Sequence, residues 1–240
     1  MATQLVPGKL VAVQDPDRGA DEAARLFANV LRKAVGSRGT ASLAVSGGST
    51  PLPAYAALAK ADVPWDRVKL FWVDERAVPT DHERSNVRGV MQAFGATPFL
   101  GVFPMDGGAA DLNASAAAYA LTLEQEVTGA PPALDLVVLG IGDDGHTASL
   151  FPGDPAVGDL TSTVLAIPPA EKREARLTLG RTVLAEARNV VVVAFGATKN
   201  GPLERAWAVH GDVLSCPARI TRAFKGKLTW LVDRAAGGIR

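Results

Sequence analysis

Val190-Val191-Val192-Val193-Ala194-Phe195 is the most apolar run of the chain, and its β-branched residues describe a strand covered on both faces. Strands of that kind belong to parallel sheets whose connections return as helices. Working outward, further strand-length apolar runs occur at 10–13, 41–45, 68–73 and 134–139. Between them lie segments of helical period. In residues 21–35, Ala23, Leu26, Phe27, Val30 and Leu31 recur at three- and four-residue spacing. A short helix fits residues 54–59, a polar loop leads into a segment near 85–94, and residues 113–127 form a second long helix. This order predicts an α/β fold, a three-layer, mostly parallel, Rossmann-like sheet with helices on both faces. No composition shift or internal repeat divides the chain, so residues 1–240 read as a single domain.

With 240 residues, 48% hydrophobic and 21% charged, the chain can bury a full core without disulfide staples. Lysine plus arginine (25) equal aspartate plus glutamate (25), which argues against nucleic acid as a partner while leaving room for a local basic pocket. One cysteine, Cys216, excludes an internal disulfide framework and a cysteine-built zinc site. Three scattered histidines lack metal-ligand spacing, so no metal is expected. The first ten residues do not read as a secretory leader. The uncharged stretch 39–59 contains Gly47, Gly48, Pro51 and Pro53 at its centre and is not a membrane helix. A reducing compartment, the cytoplasm, is the expectation, and the Asn113-Ala114-Ser115 sequon then carries no meaning.

The interruptions of the pattern fall after strands: Ser46-Gly47-Gly48, Asp74-Glu75-Arg76, residues 140–145 and residues 196–199. In open α/β sheets ligands bind outside the carboxyl ends of the strands, so these segments predict one pocket. Ser46-Gly47-Gly48-Ser49-Thr50-Pro51 either cradles an anion with backbone N–H groups, with Ser49 and Thr50 as hydroxyl donors, or simply caps a helix. It is not a Walker loop, because no Gly-Lys-Ser/Thr follows. Gly140-Ile141-Gly142-Asp143-Asp144-Gly145 spells the dinucleotide fingerprint, but two adjacent carboxylates would repel a pyrophosphate. His146, with Asp144 two positions before it, is a candidate general base or a plain loop hydrogen-bonder. Asp74-Glu75-Arg76 is a surface salt-bridge cluster or a ligand segment. Arg176 and Lys199 read as single cations in apolar surroundings, each in need of a partner such as phosphate. His82, His210, Lys172, Arg173 and Arg181 read as solvated surface residues.

Together these segments resemble the 6-phosphogluconolactonase family. The resemblance runs through residues 43–51, Phe71-Trp72-Val73-Asp74-Glu75-Arg76 and Ser85-Asn86, then the specific block at residues 140–153. It ends with Arg176-Leu177-Thr178, residues 196–199 and Gly226-Lys227-Leu228-Thr229-Trp230, covering nearly the whole chain in the family's order. It implies the fold of the sugar-phosphate deaminase and ribose-5-phosphate isomerase group, a sugar-phosphate pocket, and no cofactor. The deaminase branch continues after its histidine with a Phe-Asn-Glu-Pro type segment. Here Ser149-Leu150-Phe151-Pro152-Gly153 has no carboxylate, which favours hydrolysis over isomerisation. One departure is Ile167-Pro168-Pro169-Ala170-Glu171-Lys172, which lacks the lysine between prolines often seen in relatives.

What the resemblance implies for chemistry is hydrolysis of a phosphorylated δ-lactone, an activated ester that needs no metal or covalent nucleophile. His146 is the expected base and Asp144 its orienting partner. Arg76 is expected at the oxyanion or the sugar hydroxyls, with Asp74 also contacting substrate. Ser46, Gly47, Gly48, Ser49 and Thr50, together with Arg176 and Lys199, are expected to hold the phosphate end. The expected partner is the small-molecule lactone alone, with no membrane and no obligate protein.

Overall fold

The computed structural model describes residues 6–171 and 173–239. In chain order the elements are β1 (Lys9–Val13), α1 (Pro16–Arg38), β2 (Ala41–Val45), α2 (Leu52–Ala59), β3 (Val68–Trp72) and β4 (Asp74–Arg76). Next come α3 (Asn86–Phe94), β5 (Gly101–Phe103), α4 (Leu112–Glu126), β6 (Leu136–Leu139), β7 (Val164–Ile167) and β8 (Arg176–Leu179). The chain closes with α5 (Arg181–Glu186), β9 (Asn189–Ala194), α6 (Asn200–Trp207), β10 (Lys227–Asp233) and α7 (Arg234–Gly237).

Seven strands form one sheet in the order β1-β10-β9-β6-β2-β3-β5, and every neighbouring pair runs parallel. The valine run is β9, whose residues Val190 to Ala194 are all buried between β10 and β6. Helices flank the sheet as expected. α1 is capped at its start by Asp15, whose side chain accepts from the Arg18 N–H at 2.9 Å, and at its end by Gly39 in the left-handed conformation. Its buried face carries Ala23, Phe27, Ala28 and Leu31, where small residues let the helix lie close on the sheet and on α2. Burying Phe27 and Leu31 completely is worth about 1.5–3 kcal/mol for each side chain. Among the described residues no helix is long and apolar enough to cross a membrane.

This strand order fixes the site. β9, β6, β2 and β3 are successive neighbours, all pointing the same way, so the segments that follow them emerge side by side at one edge. Those segments are the four interruptions read from the sequence.

Two features depart from the sequence reading. Asp74-Glu75-Arg76 is a strand and not a loop: β4 joins β8 and β7 in a small antiparallel sheet, with Asp74 opposite Thr178 and Arg76 opposite Arg176. Nor is it a surface salt-bridge cluster, since Asp74 and Glu75 are buried. The apolar run at 68–73 also ends one residue earlier, at Trp72, because the chain switches sheets at Val73, whose N–H donates to the Val45 carbonyl while its carbonyl accepts from Leu179.

Candidate active site

The segments after β2, β3, β6 and β9 enclose a cavity of about 320 Å³. Ser46, Gly47, Gly48, Ser49, Thr50, Asp74, Arg76, His146, Arg176 and Lys199 all line it, so the expected residues converge although they are spread over 150 positions of chain. Asp144 stands behind His146. Asn86, Ser149 and Phe151 line the cavity too and had no role in the sequence reading.

The loop after β6 is built around the imidazole. The Gly142 N–H donates to the His146 carbonyl at 2.8 Å, Gly145 turns with φ 93°, and its carbonyl accepts from the Ala218 N–H. The first bond folds the loop back on itself, and the last ties it to the segment Pro217–Ala223. The Asp144 carboxylate then accepts from the His146 backbone N–H at 2.9 Å and lies 2.7 Å from Nδ1. Donation from Nδ1 leaves Nε2 as the basic nitrogen. Burial alone would raise the Asp144 pKa, but the hydrogen bonds from His146 outweigh it and hold the group at about 2. Phe151 packs on the imidazole with centroids 4.6 Å apart, and the Arg173 guanidinium covers the outer face of Phe151 at 4.1 Å. Arg173 is therefore not a solvated charge, as its sequence context had suggested. It pairs with Asp154 at 3.0 Å and is largely buried. Arg181 likewise is tied down, donating to the Val157 carbonyl. His210 is exposed, and Lys172 lies outside the described residues.

After β2, the Ser46 hydroxyl donates to the Val138 carbonyl of β6 at 2.8 Å, and its own carbonyl accepts from the buried Tyr55 hydroxyl. Ser46 thus fastens two strand ends together. The loop beyond it bends at Gly48, φ 96°, and no side chain caps the first turn of α2. Pro51 stands at the N-cap and a proline follows in the first turn, as the helix-cap alternative requires, but without a side-chain capping bond.

After β3, Glu75 is wholly buried and accepts four hydrogen bonds: from the backbone N–H groups of Arg76, Asn86 and Val87, and from the Ser85 hydroxyl. The carboxylate sits at the amino end of α3, where the helix dipole favours negative charge. Burial still raises its pKa against those bonds. This anchorage presents Asn86, whose Nδ2 donates to the Asp74 carbonyl at 2.9 Å, and Asp74, which accepts from the Ser149 hydroxyl at 2.7 Å. Gly47 has no side chain for good reason, since a Cβ there would stand 2.1 Å from Asn86 Oδ1.

The cations are not single, as the sequence had suggested. Lys199 pairs with Asp143 at 2.7 Å, which lowers the Asp143 pKa. Arg176 and Arg76, direct partners across β8 and β4, both approach Glu174. Desolvation lowers the Arg176 pKa, the nearby Asp74 charge opposing it. Among the described residues no cluster of histidine, cysteine and carboxylate side chains could hold a metal ion.

A basic nitrogen oriented by a carboxylate, beside three cations at the carboxyl edge of a parallel sheet, defines a site for an anionic, hydrolysable or isomerisable small molecule. The family model described as glucosamine-6-phosphate isomerases/6-phosphogluconolactonase matches residues 14–230, and the chain belongs to that family. Within it the chain is similar to the 6-phosphogluconolactonase of Synechocystis sp., at 40% identity over 86% of this chain and 88% of the relative. Its fold matches the solved 6-phosphogluconolactonase of Trypanosoma brucei with a TM-score of 0.87 and 27% identity, covering 97% of this chain and 98% of that one. The structure from Shewanella baltica gives 0.86 and 28%, over 94% of this chain and 97% of that one.

Proposed function

We propose that the chain hydrolyses 6-phospho-D-glucono-1,5-lactone to 6-phospho-D-gluconate, a step of the pentose phosphate pathway, in the cytoplasm. The observation that carries this is the Asp144–His146 pair, which leaves Nε2 basic on a residue lining a cavity with Arg76, Arg176 and Lys199.

In the reaction His146 Nε2 takes a proton from water as the water oxygen bonds to the lactone carbonyl carbon. The carbonyl electrons move to oxygen, and the resulting anion is balanced by Arg76. The intermediate collapses by breaking the bond from that carbon to the ring oxygen, which receives the proton held on His146. The acid product then ionises. Asp144 keeps the imidazole in one tautomer and balances its charge while it is protonated. Arg176, Lys199 and the loop Gly47-Gly48-Ser49-Thr50 hold the phosphate, and Asp74, braced by Ser149 and Asn86, accepts from a sugar hydroxyl. Anchoring the phosphate places the carbonyl beside the water.

The amino-sugar deaminase alternative lacks support at the same loop. Ala148, Ser149 and Phe151 line the cavity after His146, and none carries a carboxyl group. The whole of residues 1–240 serves as one lactonase domain, acting on a small molecule without an obligate partner.

The test is decay of freshly made lactone, followed by proton release above the uncatalysed background. Wild type is expected to accelerate it, and His146→Ala to lose about 10²–10⁴ of that acceleration while still binding 6-phosphogluconate. A near-normal rate in the variant would remove His146 from its role.

A further inference from the structure

Glu174 gathers three guanidinium groups. Its carboxylate lies 3.7 Å from Arg76 Nε, 3.6 Å from Arg176 Nη2 and 2.5 Å from Arg84 Nη1. Arg76 also donates through Nη1 to the Arg84 carbonyl at 2.5 Å. Arg76 and Arg176 line the cavity and Glu174 is not among its lining residues, so the carboxylate backs them from the wall. Glu174 is one carboxylate shared among three guanidinium groups, and Asp74 and Glu75 act on Arg176 as well. The cluster is incomplete in hydrogen bonds. The distances from Glu174 to Arg76 and Arg176 are ion-pair distances, too long for hydrogen bonds, and both Nε donors are buried with no acceptor among the described residues.

Two like charges placed opposite each other on paired strands repel. Glu174 offsets that repulsion, and the same negative charge lowers the positive potential felt by an anion in the cavity. From this arrangement we infer that Glu174 is a built-in counter-anion that moderates the grip of Arg176 on phosphate, and so governs release of the phosphorylated product. The inference rests on the proposed placement of phosphate at Arg176. Glu174 is a tuning residue that acts through Arg176 and does not touch the reacting atoms.

Inhibition of lactone turnover by inorganic phosphate and by 6-phosphogluconate tests it, with gluconate as the unphosphorylated control. The proteins are wild type, Glu174→Gln, Glu174→Ser, Glu174→Asp and Arg176→Gln, each checked for folding by thermal melting. Glu174→Gln keeps the shape and an acceptor oxygen while removing the charge. Glu174→Ser removes the charge by another route, so the result does not hang on one variant. Both are expected to bind the two phosphate compounds about three- to tenfold more tightly, the order expected when one charge several ångströms away is removed in a partly solvated site. KM is expected to fall with the inhibition constants, kcat not to rise, gluconate to be unaffected, and Glu174→Asp to stay near wild type.

Unchanged or weaker phosphate binding in the charge-free variants, with Arg176→Gln clearly weakened, overturns the role of Glu174 and leaves the phosphate subsite standing. Equal tightening in Glu174→Asp would assign the effect to shape and also overturn it. Undiminished phosphate binding in Arg176→Gln overturns the subsite itself, and the role of Glu174 with it.

Discussion

Gly142 lies so close to His146 that a Cβ on it would stand 2.1 Å from the imidazole Nδ1 and 2.7 Å from Asp144 Oδ1. The glycine is required by the pairing of ring and carboxylate, which fills the space a side chain would need. Gly142→Ala is therefore expected to displace the imidazole and lower kcat by about 10²-fold or more, in line with loss of a general base. Inhibition by phosphate should change little, because the cations lie on other segments. Parallel measurement of kcat and the phosphate inhibition constant checks this, and equal losses in both would contradict it.

Asp144 carries a pKa of about 2 in the folded chain against an ordinary 3.8. A lowered carboxylate pKa adds stability above the unfolded value, and that stability is lost as pH falls through about 4 toward 2. The group is half exposed, so after solvent screening the effect is less than about 1 kcal/mol. Asp144→Asn is expected to lose that margin at neutral pH and to match wild type near pH 2 in denaturant titrations. Its kcat should fall by about ten- to a hundredfold, since the protonated imidazole loses its counter-charge. As Asp144 stays ionised throughout the neutral range, no acidic limb of the wild-type rate profile belongs to it.

Glu75 gives the opposite sign. Burial raises its pKa above 4.5, so its contribution to stability is full below that value and declines as pH rises through the folded pKa. Glu75→Gln removes this dependence but places an amide NH₂ against the Arg76 and Asn86 N–H groups or, turned over, against the Val87 N–H. A loss of about 2–4 kcal/mol at neutral pH is expected from facing donors left unsatisfied. Chemical denaturation at several pH values checks both the size and the flattened slope.

Lys199→Ala removes a cation from the cavity lining and leaves the exposed Asp143 carboxylate without its ion pair. KM for the phosphorylated lactone is expected to rise by about tenfold or more, while unphosphorylated gluconolactone is turned over nearly as before. Equal effects on the two substrates would remove Lys199 from phosphate recognition.

Much of this was legible from the chain alone, and for a physical reason. A short β-branched run such as Val190 to Val193 favours a strand buried on both faces, and strands followed by helices leave their ligand segments at one edge. The convergence of Ser46, Asp74, His146 and Lys199 follows from that rule. The partners of those residues were not legible. β4 pairs with Arg176 to Thr178, a hundred positions away, and a charged triplet carries no strand signal of its own. Arg173 is held by Phe151 and Asp154, which only the folded loop brings to it. Asn86 and Ser149 were within reach. Each lies in a segment shared with the family, Ser85-Asn86 and residues 140–153, but their bonds to Asp74 depend on the switch of sheets at Val73.

The position of β10 bears on how the chain reaches this state. It is the last strand in sequence, yet it lies between β1, the first, and β9. On a ribosome, then, β1 waits without this sheet neighbour until more than two hundred further residues have been synthesised. Contacts so distant in sequence slow folding and leave an edge exposed meanwhile. The segments that bear His146 and Lys199 are made before this closure, so the nascent chain already contains these cavity-lining residues before β1 is held in place.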